Sequence, residues 1–306
     1  MTKKLLSIVV PCYNEELCIE PFITAIDNLN LSTDKEIVFV DDGSTDSTLQ
    51  LVKDYASRVP CVRYISFSRN FGKEAALLAG LKKAVGDYVV TMDVDLQDPP
   101  SYIPEMIACI EGGVDCAATR RCTRVGEPPI RSWFARRFYA LMKRFSDVEL
   151  VDGARDYRMM NRKVVDAIVS MPENNRFTKG IYQWVGFKTK WIAFENVERV
   201  AGETKWSFWK LFKYAIDGIL AFTTAPLQIA SWLGILSCLC SVSYLGWVLV
   251  RVLVWGDPVA GWPSMICVIL FLGGVQLLMI GVVGAYLAKV YLETKRRPMY
   301  FIKEEG

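Results

Sequence analysis

Two carboxylates and a carboxamide alternate along one short stretch of this chain, at Asp93, Asp95 and Gln97. In an extended chain, residues two apart project from the same face, so Asp93 and Asp95 are expected to point the same way. Neighbouring carboxylates repel each other unless a cation lies between them, and hard divalent cations prefer oxygen ligands, which they often share with phosphates. The stretch therefore predicts a Mg²⁺ or Mn²⁺ site for a diphosphate. An acidic, solvated loop with a turn at Pro99 is the alternative.

The acidic stretch follows one predicted strand, and three other strands precede it. Four short runs rich in β-branched and aromatic residues are predicted as buried strands, at residues 5–10, 36–40, 62–66 and 87–92. Helical stretches separate them, which is typical of an α/β fold with a doubly wound, Rossmann-like parallel sheet. Strand ends of one polarity meet at one edge of such a sheet, where ligands bind. We therefore expect the acidic residues that follow three of the strands, Glu15, Asp42 and Asp93, to gather there.

The sequence offers no glycine-rich cradle for phosphates. No G-x-G-x-x-G follows the first strand, and Gly72-Lys73 lacks both the earlier glycine and the following Ser or Thr of a P-loop. Phosphates must then be held by a metal and by basic side chains. The candidates are Arg120, Arg121, Arg124 and Arg131, and the basic-flanked glycine loop of residues 199–205. Any one of these arginines could instead be a solvated surface charge.

Composition narrows the chemistry further. The chain has 306 residues, a formal net charge of +3 and no histidine. A charge this small does not suggest a nucleic-acid partner, and the missing histidines remove the commonest general base and metal ligand. The nine cysteines show no C-x-x-C spacing, which favours reduced thiols over a zinc site or a disulfide framework.

Two apolar runs near the C-terminus are long enough to span a bilayer. Residues 218–250 and 262–288 contain no charged side chain, and each run exceeds the roughly 20 residues that a spanning helix needs. We predict transmembrane helices at about 226–251 and 265–289. Lysines and arginines flank the helix ends that lie away from the connecting loop 256–264. The positive-inside rule therefore predicts that both termini are cytoplasmic and that this loop is external, with Arg251 as the one basic residue near the external side.

Three regions follow from this pattern. Residues 1–205 are predicted to form a cytoplasmic catalytic domain. Residues 206–225, in which lysines and aromatic residues interleave, are predicted to form an interfacial amphipathic segment. Residues 226–306 are predicted to form the membrane domain with a short C-terminal tail. Small residues on the second helix, Gly273, Gly274, Gly281 and Gly284, would allow close helix contact and a homo-oligomer.

Asp156 is a further acidic candidate. It precedes an apolar turn in the sequence and is predicted to point back at the edge of the sheet. A helix-capping role is less favoured, because Asn161 is better placed to cap a helix that begins at Arg162.

Five segments together resemble the successive motifs of polyprenyl-phosphate glycosyltransferases, which are membrane-anchored members of glycosyltransferase family two with a GT-A fold. The segments are residues 10–15, 40–44, 69–73, 92–99 and 199–205. That group includes dolichol-phosphate mannose synthases and bacterial bactoprenol glucosyltransferases. The resemblance covers essentially the whole chain, and two C-terminal helices are the bacterial pattern. The processive synthases of this fold carry Q-x-x-R-W, which Gln183-Trp184 does not match.

The resemblance implies roles for individual residues. Nucleotide-sugar contacts would come from Pro11, Tyr13, Glu15, Val40, Asp42, Asp93, Arg120 and Lys205. The metal would be held by Asp93, Asp95 and Gln97, and the acceptor phosphate by Arg131 and Arg199. Catalytic roles would fall to Asp95 and Asp156.

The implied reaction is an inverting, metal-dependent transfer of a hexose such as glucose. The donor would be a UDP-sugar and the acceptor undecaprenyl phosphate at the inner leaflet of a bacterial inner membrane. Because a phosphomonoester loses its second proton near pH ~6, this acceptor needs no strong base, and Asp156 is expected to orient the acceptor or an arginine such as Arg155 or Arg158. A flippase and a second glycosyltransferase of a cell-envelope pathway such as O-antigen modification would use the product. Transfer to another lipid such as diacylglycerol, or nucleotide-sugar binding without turnover, are the alternatives.

Overall fold

Four parallel strands form the first half of a mixed sheet. In the computed structural model, which describes residues 3–121, 151, 153–194, 216, 220, 223–255 and 261–306, these strands are β1 (Leu5–Cys12), β2 (Asp34–Asp41), β3 (Val62–Phe67) and β4 (Tyr88–Thr91). They pair in the order β3-β2-β1-β4. The predicted parallel, doubly wound arrangement is therefore confirmed for this half of the sheet.

Helices cover both faces of these strands. They are α1 (Glu16–Asp27), α2 (Thr48–Arg58), α3 (Lys73–Lys83) and α4 (Ile103–Glu111), with a short 3-10 turn at Pro100–Tyr102 before α4. One face packs Phe22 of α1 and Met106 of α4 on Ile8, while α3 packs on the other. Gly80 lets α3 lie close to β1, because a Cβ at this position would stand only 2.2 Å from Cγ1 of Val9.

The second half of the sheet is not parallel throughout. It consists of β5 (Cys116–Arg121), β6 (Ala154–Asn161) and β7 (Thr189–Phe194), and β6 lies antiparallel between β4 and β5. The prediction of an apolar turn after Asp156 is therefore wrong, because Asp156 lies within a strand. Residues 157–160 of that strand are buried without a break, so no alternation of polar and apolar residues marks it as a strand.

Two shorter helices complete this half. The helix α5 (Arg162–Ser170) begins where predicted, and the Asn161 side chain accepts the N–H of Val164 at 3.1 Å as its cap. The helix α6 (Thr178–Trp184) follows and ends at a turn in which Gly186 has φ +70°.

Two long apolar helices extend from the sheet domain. They are α7 (Ala225–Trp255) and α8 (Trp262–Thr294), each longer than the predicted span. Within them, Ala225–Tyr244 and Phe271–Thr294 are apolar enough to cross a membrane, and almost none of this surface is covered by protein. Exposed apolar side chains such as Trp232, Phe271 and Leu277 therefore require apolar surroundings.

The chain then returns to the sheet. Residues 302–305, predicted only as part of a tail, form β8 (Ile302–Glu305), which pairs antiparallel with β3 at the edge. Ion pairs of 2.6 Å between Lys53 and Glu304 and of 3.0 Å between Lys83 and Glu305 fasten it to α2 and α3. The sheet of the N-terminal domain thus includes the C-terminal residues.

Candidate active site

The loops after β1 and β2 lie side by side at the carboxyl edge of the sheet, as predicted. The N–H of Asn14 donates to Oγ of Ser44 at 2.9 Å, and Oδ1 of Asn14 accepts the N–H of Thr45 at 2.8 Å. The N–H of Glu15 donates to Oγ1 of Thr48 at 2.8 Å. Asn14 has φ +52°, a left-handed conformation that asparagine tolerates better than most residues and that turns the loop toward β2.

Asp42 holds a third loop in place. Its two carboxylate oxygens accept the N–H groups of Phe71 and Gly72 at 2.6 and 2.9 Å, and the side chain is buried. Burial raises the pKa of Asp42, and the two N–H donors oppose that rise. Asp42 therefore fixes the loop 69–72 that leads into α3. Gly43 (φ +70°) allows this approach, since a Cβ there would lie 2.5 Å from the backbone carbon of Arg69.

Lys73, the first residue of α3, bridges two of the predicted site residues. Its Nζ lies 2.7 Å from Oδ1 of Asp93 and 2.9 Å from Oδ2 of Asp156. Burial alone would lower the pKa of the Lys73 ammonium, but the Asp156 and Asp93 carboxylates raise it above its ordinary value. Sequence reasoning did not single out Lys73. Lys73 could have been found from its position after β3, because residues that follow parallel strands gather at one edge of the sheet, as Asp42 and Asp93 do.

Asp156 is an ionised, paired carboxylate. Burial would raise its pKa, but the charges of Lys73 and then Lys179 hold the pKa well below its usual range. Thr91 of β4 donates to the backbone carbonyl of Asp156 at 2.5 Å, which fixes this part of β6. Among the described residues, Lys73 is the ion-pair partner of this carboxylate, and neither Arg155 nor Arg158 pairs with it directly.

The acidic stretch leaves the strand conformation earlier than predicted. β4 ends at Thr91, and Leu96 has φ +55°, so the chain turns between Asp95 and Gln97. Oδ1 of Asp95 accepts the N–H of Gln97 at 3.2 Å. The alternation expected of an extended chain therefore does not apply to Asp93 and Asp95, and the turn brings the Asp95 carboxylate against its own loop.

Arg155 of β6 fastens the end of this turn. Its Nε donates to Asp98 at 3.0 Å, and its Nη2 lies 3.5 Å from Oε1 of Gln97. Asp98 is almost fully buried, and burial raises its pKa to about 6 against the charge of Arg155. Because Asp95 and Asp98 are both buried, the stretch is not the solvated acidic loop that the sequence left open.

The other predicted residues are less uniformly placed. Pro11 and Val40 are opposite each other in β1 and β2, and the Val40 side chain is fully buried beneath α3, so that side chain is not available for a ligand contact. Tyr13 and Glu15 are half-buried in the loop after β1, and Arg120 is exposed near the end of β5. Four predicted residues lie outside the described part of the chain: Arg124, Arg131, Arg199 and Lys205. Most of the interfacial segment 206–225 lies outside it as well.

The oxygen donors of the acidic stretch suit a metal ion whose coordination a substrate phosphate completes. Asp93 and Asp95 with Gln97 offer carboxylate and amide oxygens, which Mg²⁺ and Mn²⁺ prefer. Within the described residues, no group of three or more His, Cys, Asp or Glu is arranged to hold a metal. Mg²⁺ commonly uses one or two carboxylates together with substrate phosphates, so this donor set fits an ion bound with a diphosphate.

A largely parallel sheet with acidic loops at its carboxyl edge, extended by an antiparallel strand pairing, is the GT-A fold of glycosyltransferases. The chain belongs to the family described as "Glycosyl transferase family 2", whose sequence pattern matches residues 7–169. It is therefore a glycosyltransferase, as the resemblance implied.

Relatives that match nearly the whole chain are also named as glycosyltransferases. The "Prophage bactoprenol glucosyl transferase homolog" of Escherichia coli (strain K12) is 41% identical and covers 97% of this chain and 98% of its own. The "Bactoprenol glucosyl transferase" of Shigella phage SfV is 42% identical over 98% of both chains. Among solved structures, glucosyl-3-phosphoglycerate synthase from Mycobacterium tuberculosis, bound to Mn²⁺, uridine diphosphate and phosphoglyceric acid, shares the fold. Its TM-score is 0.50 at 21% identity, covering 71% of this chain and 76% of that one.

Proposed function

We propose that this protein transfers a hexose, glucose in the first instance, from a UDP-sugar to a polyprenyl phosphate, with inversion at the anomeric carbon. The observation that carries the proposal is one architecture: a glycosyltransferase site with Lys73 between Asp93 and Asp156, fused to two apolar helices. Relatives 41–42% identical over 97–98% of this chain bear the name bactoprenol glucosyl transferase, which supports both the sugar and the lipid.

The connection between the apolar helices and the sheet supports a site at the membrane surface. The carboxylate of Glu293, in the last turn of α8, accepts the N–H groups of Asn174 and Asn175 at 2.8–3.0 Å. Lys289 donates to the side chain of Asn175 at 2.8 Å. The end of α8 therefore sits directly on the catalytic domain, which supports an acceptor whose phosphate lies at the bilayer surface.

The same connection supports a topology for the chain. The chain leaves the catalytic domain before α7 and rejoins its sheet through β8, so two spans would put both ends on one side. The exposed cations that follow α8, Lys295, Arg296 and Arg297, favour the cytoplasmic side. We therefore assign the protein to the bacterial inner membrane, as a multi-pass protein with a cytoplasmic catalytic domain.

The reaction is a single displacement. An oxygen of the lipid phosphate attacks the anomeric carbon of the sugar, the new bond to that phosphate oxygen forms, and the bond to the diphosphate breaks as UDP leaves with the electron pair. The acceptor phosphate is mostly dianionic at neutral pH, so no proton has to be removed during attack. Asp156, ionised and paired with Lys73, is suited to orient groups and not to take up a proton.

A divalent cation would be held by Asp93, Asp95 and Gln97 together with the donor's diphosphate. When bound, it would stabilise the charge that develops on the departing diphosphate. We assign the donor phosphates to Arg120, which is exposed near the end of β5, and the nucleoside to Tyr13 and Glu15, which are half-buried in the loop after β1.

An acceptor panel tests this function. The purified full-length protein is incubated with radiolabelled UDP-glucose and, separately, undecaprenyl phosphate, diacylglycerol or no lipid. We expect labelled lipid and stoichiometric UDP with undecaprenyl phosphate alone. Labelled diacylglycerol would instead identify the protein as a transferase to lipid alcohols, and tight donor binding without UDP release under any condition would make it a binding protein. The same panel with other nucleotide-sugars identifies the sugar.

A further inference from the structure

We propose that Lys73 is a positioning residue of the transfer reaction: its ammonium group sets the orientation of the Asp156 carboxylate relative to Asp93. The proposal rests on the function proposed above and extends it to a residue that neither the acidic stretch nor the arginine candidates suggested. Lys73 Nζ is within hydrogen-bond distance of both Asp93 oxygens, at 2.7 and 2.8 Å, and of Oδ2 of Asp156 at 2.9 Å.

The backbone on either side of Lys73 is anchored. The two residues before it donate their N–H groups to Asp42 at the end of β2. The residue after it, Glu74, accepts both the N–H of Thr178, at 3.0 Å, and the hydroxyl of Thr178. A lysine side chain has four rotatable bonds and holds a fixed place only when its surroundings fix it. Anchoring to β2 on one side and to α6 on the other supplies that restraint.

Lys73 joins two strands that carry the predicted chemistry. Asp93 follows β4 and Asp156 lies on β6, and these strands are neighbours in the sheet. Two carboxylates that face one ammonium would repel each other without it. Other cations near Asp156 are Lys179 of α6 and Arg158 of β6, but the larger effect on Asp156 comes from Lys73. The guanidinium of Arg158 instead stacks on the Tyr182 ring, 3.6 Å from its centroid.

Loss of Lys73 should therefore act through the geometry of Asp156. A reacting group displaced by about 1 Å can cost on the order of a hundredfold in rate. For Lys73→Met we expect kcat to fall by about tenfold to a hundredfold, while KM for the nucleotide-sugar changes little. Lys73→Arg keeps the charge but changes the position of the donors, so it should recover part of the loss.

A double-mutant cycle tests the proposal. UDP release is measured for wild type, Lys73→Met, Asp156→Asn and the double variant, with Lys3→Met as the control. Lys3 lies ahead of β1, and its ion pair with Asp34 is exposed. If Lys73 works through Asp156, the double variant is no slower than Asp156→Asn alone, and Lys3→Met retains wild-type kcat. Losses that multiply in the double variant, or a Lys73→Met rate equal to that of Lys3→Met, would overturn the proposal.

Two further controls separate loss of positioning from unfolding and from the choice of acceptor. Thermal unfolding is recorded for each variant, and if Lys73→Met is unfolded, the cycle is run with Lys73→Arg, for which the same lack of additivity is expected. The assay uses whichever acceptor the wild-type protein accepts. Failure of polyprenyl phosphate as acceptor would then refute the proposed function, while the cycle would still decide the role of Lys73.

Discussion

Asp156 shows how surroundings decide the role of a carboxylate. A general base at neutral pH needs a pKa near the working pH. The Asp156 carboxylate is instead paired with Lys73 at 2.9 Å, and its pKa is lowered. The group is thus ionised across the physiological range, which suits electrostatic orientation of substrates. In the proposed reaction the lipid phosphate supplies its own nucleophilic oxygen, so no base is required of the site.

The substitution Asp156→Asn tests this role. The folded pKa of Asp156 is lowered, so its own titration lies well below neutrality and contributes no inflection between about pH 6 and 8. We expect turnover to fall by about tenfold to a hundredfold, with a parallel pH profile and no steep recovery as pH rises. Measured kcat against pH in both proteins checks this. A variant that binds donor and lipid normally, yet has no detectable turnover, would identify Asp156 as a true base.

The buried pair of Arg155 and Asp98 should be a stability determinant. Arg155→Met leaves the Asp98 carboxylate buried without its cation, and breaking such a pair typically costs about 3–5 kcal/mol. We expect a loss of that order in the free energy of unfolding, measured by denaturant titration of the detergent-solubilised protein. Lys3→Met is the control, because its exposed ion pair with Asp34 should contribute less than about 1 kcal/mol. Equal losses in the two variants would contradict this assignment.

Sequence reasoning found the carboxylates but not all of their partners. Asp93, Asp95 and Asp42 could be selected because each follows a predicted strand, and strand ends of one polarity share an edge. Lys73 lies in one of the five family-like segments but was assigned no role, because its proposed role depends on Asp93 and Asp156, which lie 20 and 83 residues away in the chain. Val40 was assigned to the ligand although its side chain faces the core beneath α3, a distinction that only the packing of the helix reveals.

At the level of elements, the parallel strands were predictable and the antiparallel ones were not. Strands β1 to β4 are short apolar runs separated by helices, and this alternation is typical of a parallel sheet with helices on its faces. The strand β6 carries Arg155, Asp156 and Arg158 among apolar residues, so its burial on both faces was hidden. The strand β8 contains Lys303, Glu304 and Glu305, which read as a solvated tail until β3 supplies the partner edge.

The returning C-terminal segment should support the active site as well as the sheet edge. Tyr300 stacks on Phe67 at 4.8 Å between ring centroids, and Phe301 lies 6.2 Å from Phe71, next to the residues that Asp42 anchors. We expect removal of residues 298–306 to increase amide hydrogen exchange in β3 and in residues 69–73, and to lower turnover. Lys303→Ala, at an exposed side chain, serves as the control. Unchanged exchange in residues 69–73 after truncation would refute this coupling.

The whole molecule is a catalytic domain connected twice to its two long apolar helices. One connection is the chain entering α7, and the other is the end of α8, where Glu293 holds Asn174 and Asn175 before β8 rejoins the sheet. Sequence patterns predicted the two spans from length and hydropathy. They did not predict the second connection, because it depends on backbone donors in a loop more than a hundred residues earlier.

The proposed topology can be measured. A cysteine is introduced by Lys303→Cys in a background without reactive native cysteines. Spheroplasts are used because their outer envelope no longer excludes the thiol reagent. The new cysteine should resist a membrane-impermeant thiol reagent in these spheroplasts. It should react after permeabilisation. A cysteine placed between α7 and α8, within residues 256–261, is the matched control and should react in intact spheroplasts. Labelling at position 303 from outside would contradict the arrangement in which both ends of the chain are cytoplasmic.

The most direct test of the central claim is the identity of the product. Full-length protein in liposomes is supplied with UDP-glucose, undecaprenyl phosphate and Mg²⁺, and the lipids are examined by mass spectrometry and NMR. We predict a glucosyl phosphodiester of undecaprenol with an inverted anomeric centre. Its formation should stop in EDTA, resume with Mg²⁺ or Mn²⁺, and be lost in Asp95→Asn. Product that keeps the donor's anomeric configuration, full activity in chelator, or no lipid-linked sugar with any nucleotide-sugar would contradict the account.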